Sequence, residues 1–227
     1  MAGDPMRQTP VGFKVNKLDL EGVIGEPEEI EAPFPAVLIC HPEPHLGGTM
    51  ESPVVTALVQ GLANQGLLTL RFNSRGVGAS EGETSLGPGE MEDARAALKL
   101  LHSWPTVDRD RLAVAGYSFG AGISVRMLVR EEKVLRAGVA ISPPLELPPL
   151  GLEGIPRLDK LRRPLQVIIG GDDGLTRPDK LKEWTDGLGN PGISTVIVEG
   201  TDRSWQGKRS ALSRHVSEFL TKAFASP

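Results

Sequence analysis

The chain has 227 residues, 39% of them apolar, and a net charge of −4 at neutral pH. No basic block stands out, which argues against a nucleic-acid partner, and no apolar run approaches the roughly 18 residues of a membrane span. The opening MAGDPMRQTP lacks the apolar stretch of a secretion signal. With the single cysteine, Cys40, ruling out an intrachain disulfide, this composition suits a cytoplasmic location.

The length is that of one α/β domain, and residues 1–11 read as a flexible N-terminus. Residues 12–23, GFKVNKLDLEGV, alternate apolar and polar, as in an edge strand or hairpin. AVLICH (36–41) is continuously apolar and suits a strand buried on both faces. A helix carrying Val54, Val55, Leu58, Val59 and Leu62 follows and ends near Gly66. LLTLRF (67–72) is the next strand, and Gly89 to Trp104 the next helix, with Glu90, Glu92 and Asp93 favouring its N-terminal dipole. RLAVAG (111–116) leads as a strand into a helix over 121–130. RAGVAIS (136–142), LQVIIG (165–170) and STVIVEG (194–200) are further strands, with helices near 178–188 and 207–224. This alternation predicts a doubly wound, mostly parallel sheet. The irregular stretch 143–163 is proline-rich and too short for a cap domain, so any lid is small.

AGYSFGAG (115–122) holds G-x-S-x-G as Gly116, Ser118 and Gly120, with a strand before it and a helix after it. That context is the one a nucleophile elbow needs, the glycines allowing a sharp turn that exposes the serine hydroxyl. Acyl transfer also needs N–H donors for the developing oxyanion. The amide of Phe119 is one. The other comes from HPEPHLGGTM (41–50), where Pro42 and Pro44 have no N–H, leaving Glu43 as the donor of that triplet. The glycine-rich NSRGVGASEG (73–82) lacks the lysine and spacing of a phosphate loop, and no His/Cys/carboxylate cluster has metal-ligand spacing. Neither a cofactor nor a metal is expected.

In order and spacing, LICHPEPHLGGTM, LRFNSRGVGASEG, AVAGYSFGA and VIIGGDD resemble the small lidless α/β-hydrolases related to dienelactone hydrolase. The resemblance spans roughly residues 12–224. It implies an eight-stranded α/β-hydrolase sheet without a cap domain, Ser118 as nucleophile, Phe119 and Glu43 as backbone donors, and Asp173 as the triad acid. It also implies a histidine after the last strand. The matching segment, GTDRSWQG (200–207), has Arg203 there instead. Arginine stays protonated and cannot take the serine's proton; its guanidinium is expected within salt-bridge reach of Asp173. A second departure is Glu43, where the family loop carries another histidine.

The four histidines remain to be placed. His41, at a strand end, is expected to orient the oxyanion loop by hydrogen bonding, and His45 is the one candidate for a substitute base. His215 reads as a flank residue of the closing helix, and His102 as a residue of a helix's last turn, remote from the serine. Cys40 reads as a buried strand residue. Two functions stay open: a serine hydrolase of small, short-chain esters through an acyl-enzyme on Ser118, weakened by the missing histidine, or a silent hydrolase fold that binds a small ligand or a partner protein.

Overall fold

The computed structural model describes residues 6–225 except 29 and 149. Its first elements are β1 (Met6–Val15) and β2 (Leu18–Pro27), an antiparallel hairpin that pairs Val15 with Leu18 across a two-residue turn. Asn16 takes a positive φ of 56° there, as tight hairpin turns require of their first residue. The flexible N-terminus expected over 1–11 is corrected from Met6 onward: residues 6–11 pair with 22–27, so inter-strand hydrogen bonds hold a segment whose composition looks loose. Residues 1–5 lie outside the described part.

The other strands are β3 (Phe34–Cys40), β4 (Leu68–Phe72), β5 (Val107–Tyr117), β6 (Leu135–Ile141), β7 (Leu165–Gly170) and β8 (Ile193–Val198). Together they make one eight-stranded sheet in the order β1-β2-β4-β3-β5-β6-β7-β8, antiparallel through β1, β2 and β4 and parallel from β4 to β8. The helices are α1 (Pro53–Ala63), α2 (Pro88–Ser103), α3 (Phe119–Arg130), α4 (Pro178–Gly187) and α5 (Arg209–Ala225). Proline opens α1, α2 and α4, where its missing N–H costs nothing and its fixed φ suits the helix.

Strand alternation divides the core in two. Ala36, Leu38 and Cys40 of β3 face α2, α3 and α4, while Val37 and Ile39 face α1 and α5. Both faces are covered, so β3, FPAVLIC, is apolar along its whole length. The 143–163 stretch forms no cap, because Leu145, Leu150, Leu152, Ile155, Leu158 and Leu161 turn inward to join the first of these cores.

The topology places the site. The chain passes from β3 outward to β4, then returns across β3 to β5. At such a reversal the loops leaving the C-terminal ends of the two strands diverge and open a crevice. The loops after β3 and β5 carry HPEPHLGG and the serine elbow.

Candidate active site

Ser118 sits between β5 and α3 at φ 58°, ψ −117°, a strained conformation of the kind an over-determined turn imposes. Both flanking glycines are required by space. A Cβ on Gly116 would lie 1.9 Å from the Gly120 carbonyl oxygen, and one on Gly120 would lie 2.3 Å from that of Cys40. The second contact also shows how closely the elbow abuts the end of β3. The Ser118 amide donates to the Ile141 carbonyl at 2.9 Å, which ties the turn to β6.

The loop after β3 is equally constrained. The Glu43 carbonyl accepts from the amides of Leu46 (3.2 Å) and Gly48 (2.9 Å), and its carboxylate folds back towards the His45 amide at 3.4 Å. Among the described residues, the Glu43 and Phe119 amides donate to no protein acceptor. His41 is buried and bridges two loops. Its Nε2 accepts from the Ser74 amide at 3.2 Å and lies 2.9 Å from Ser74 Oγ, while Nδ1 lies 2.7 Å from the Pro42 carbonyl. Because an amide only donates, Nε2 is the acceptor and the proton sits on Nδ1. Burial pushes the His41 imidazole below its ordinary value, against the Pro42 hydrogen bond, so the ring is neutral with both nitrogens committed to the loop. Asn73 adds a second tether, its Oδ1 accepting from the Met50 amide at 2.8 Å.

Asp173 follows β7 with its carboxylate fully buried. Oδ1 accepts from the amides of Leu175 and Thr176, both at 3.0 Å. Arg203 closes the constellation: Nη1 stands 3.1 Å from both carboxylate oxygens and Nη2 donates to Ser118 Oγ at 2.9 Å. The guanidinium thus links acid to serine as an imidazole would. Its chemistry is opposite, since it offers only N–H donors and the serine oxygen is the acceptor.

Residues the sequence reading passed over hold Arg203 in place. Tyr117 Oη donates to the Arg203 carbonyl at 2.8 Å, and burial keeps that phenol above its ordinary pKa and hence neutral. Trp205, fully buried, donates from Nε1 to Ser142 Oγ at 3.1 Å, and the Asp172 amide reaches the Thr201 carbonyl at 3.0 Å. The aromatic neighbours in GYSFG and DRSW were the only hint of these roles.

The other expected residues fall as follows. His45 is exposed on the short turn after β3, and its imidazole makes no hydrogen bond among the described residues. His215 lies at the border of the buried stripe formed by Leu212, Val216 and Leu220 of α5. His102, in the last turn of α2, lines a hollow of about 690 Å³ that contains none of the site residues. Burial pushes the Cys40 thiol up to about 12, which leaves it inert. Near Asp173 lies a groove of about 370 Å³ walled by Leu145, Leu147, Leu175 and Thr176 and by the charged Glu146, Arg177 and Lys180. Leu46, Leu147 and Leu175, on the loops after β3, β6 and β7, stay exposed at this edge of the sheet.

Comparison with known proteins agrees with the fold. Residues 19–155 match the profile of the X-Pro dipeptidyl-peptidase (S15) family. An α/β serine hydrolase homologue from Coxiella burnetii superposes with a TM-score of 0.81 at 30% identity, over 93% of this chain and 97% of the other. A lidless α/β serine hydrolase from Xanthomonas campestris superposes with a TM-score of 0.82 at 26% identity, over 97% of each chain. The esterase FrsA of Yersinia pestis is 31% identical over 126 residues, which are 55% of this chain and only 29% of that esterase. The eight-stranded sheet, the serine elbow and the profile match agree, and the chain belongs to the S15 family of α/β serine hydrolases, described as X-Pro dipeptidyl-peptidases.

Proposed function

We propose that the chain is a slow serine hydrolase of small carboxylic esters, Ser118 attacking the carbonyl to form an acyl-enzyme. The observation that carries this reading is the backbone of Ser118, held at φ 58°, ψ −117°; the amides of Phe119 and Glu43, which find no acceptor among the described residues, support it. Strain of this kind persists where surrounding structure enforces it and is concentrated at functional sites. The rate is low because nothing bonded to Ser118 can take its proton. In a working triad, loss of the histidine costs about 10⁶ in turnover and leaves about 10³ over water from the oxyanion donors and binding alone. The absence of a cap and the groove of about 370 Å³ near Asp173 favour short acyl chains. Kinship with dienelactone hydrolase, a cytoplasmic location and a small ester as partner belong to the same proposal.

One contact favours a second reading. With Arg203 Nη2 at 2.9 Å from Ser118 Oγ, the pocket can hold a small ligand or a partner protein without turning anything over. Fluorophosphonate labelling, with turnover of p-nitrophenyl acetate and butyrate by wild type and Ser118→Ala, separates the two. Labelling with slow, Ser118-dependent turnover supports the hydrolase. No labelling and no Ser118-dependent turnover supports the silent fold. Brisk turnover would point to another base, and its loss in His45→Ala would identify it.

A further inference from the structure

We propose that the pocket at Ser118 recognises a carboxylate, that of a short aliphatic acid, in preference to the neutral ester or amide of the same acid. Carboxylate recognition rests on the reading of Ser118 as the floor of an acyl pocket and adds the charge state of what is held there. The uncommitted polar groups of Ser118, Phe119 and Glu43 are donors. The amides of Phe119 and Glu43 have no protein acceptor among the described residues. Ser118 Oγ already accepts from Arg203 Nη2, so its own proton is free to be given. The one carboxylate in the constellation is turned away: Asp173 is fully buried, with its oxygens engaged by Leu175, Thr176 and Arg203. The Arg203 side chain is 21% exposed against 0% for Asp173, and its Nη2 reaches Ser118 Oγ, so the accessible member of the pair is the positive one. Glu43, the other nearby acid, directs its carboxylate back towards the His45 amide.

A resting Ser-His-Asp site is neutral at the imidazole and presents a lone pair to the serine. It becomes a cation beside the serine only after the proton has moved and an oxyanion has formed. Arg203 holds this site permanently in that second state, complementary to an anion with several acceptor lone pairs and few protons to give. A carboxylate matches that requirement, and hydrogen bonds to charged partners are about twice as strong as neutral ones. The neighbouring groove sets Leu145, Leu147 and Leu175 beside Glu146, Arg177 and Lys180, so it offers a short aliphatic chain an apolar wall with two cations at its rim. Thr176 joins groove to site, since its amide caps Asp173.

The test is a ligand-observed NMR titration of the full chain at pH 8 and low salt, with butyrate and its neutral isostere butyramide as probes. Wild type is expected to bind butyrate saturably and butyramide about tenfold more weakly or less. In Arg203→His the new imidazole is neutral at this pH, and the preference should fall to about twofold or vanish. No saturable butyrate binding, or equal binding of the two probes by wild type, overturns the proposal without recourse to any variant. Butyrate affinity unchanged in a folded Arg203→His overturns it too, because the anion would then sit elsewhere. Loss of labelling or turnover bears on the esterase reading alone, and loss of butyrate binding on this one alone.

Discussion

The elbow after β5 and the loop after β8 are both tied down by specific contacts, yet they bring opposite hydrogen-bonding chemistry to the same place. Gly116, Ser118 and Gly120 satisfy every steric demand of a nucleophile turn, down to a missing Cβ that would stand 1.9 Å from a carbonyl oxygen. The loop from Gly200 to Lys208 is pinned by Tyr117, Trp205 and the Thr201 carbonyl, and it presents residue 203 to Ser118 Oγ at 2.9 Å. Residue 203 meets the serine as a hydrogen-bond donor, so the chemistry of one side chain sets what this site can do.

The largest expected effect comes from making the two regions agree. Arg203→His should restore a base beside an otherwise assembled site and raise p-nitrophenyl butyrate turnover by about 10² to 10⁴, the usual worth of general-base catalysis. Adding Ser118→Ala should abolish the gain. No gain, in a protein whose melting is unchanged, would show that the loop after β8 does not hold an imidazole where it holds a guanidinium.

Next in size is a break in the elbow itself. Gly116→Ala forces a methyl group against the Gly120 carbonyl, backbone against backbone with no side chain able to yield. Stability should fall by about 3 kcal/mol, the upper part of the overpacking range, as read by urea unfolding. A loss below about 1 kcal/mol would mean the turn relaxes easily and is not the rigid half of the comparison.

A smaller effect sharpens the account of the second loop. Tyr117→Phe removes the hydrogen bond to the Arg203 carbonyl and should cost about 1 kcal/mol. In the Arg203→His background it should also reduce the restored turnover, because the imidazole is then less well oriented. Full activity in the double variant would assign the positioning to Trp205 and Thr201 alone.

The smallest effect concerns the oxyanion loop and is a pH dependence. Burial lowers the folded-state pKa of His41 from the ordinary 6.5, so the folded form favours the neutral ring. The resulting stability is fully present above about pH 6.5 and is lost as pH falls through the lowered folded value, with a slope of at most about 1.4 kcal/mol per pH unit. Unfolding free energies measured from pH 7 to 5 should fall in wild type and fall less steeply in His41→Gln. Equal slopes would show that His41 is not held neutral.

Much of the fold was legible because its signals are local. The apolar run 36–41 and the alternation in 12–23 reflect whether one or both faces of a strand are covered, and strand and hairpin lie there. Residues 6–11 were misread because MRQTPV carries a proline and polar residues, and its order comes from pairing with β2. Tyr117 and Trp205 were legible as aromatics but not as anchors, since their partners, Arg203 and Ser142, lie 86 and 63 positions away.

The sequence by itself determined the alternating α/β architecture, the glycine-flanked serine, the proline-bounded turn with one amide to offer, and an arginine, Arg203, in the loop after the last strand. These rest on periodicity, on missing Cβ or N–H atoms, and on the fixed proton chemistry of each side chain, none of which needs a distant partner. Only the tertiary structure decided that Arg203 touches both Asp173 and Ser118, 30 and 85 positions away, that the Phe119 and Glu43 amides find no acceptor among the described residues, and that His41 is spent on its own loop. Those outcomes depend on strand order, which brings the ends of β3, β5, β7 and β8 to one edge of the sheet, and a hydrogen bond exists only where that packing sets donor and acceptor about 3 Å apart.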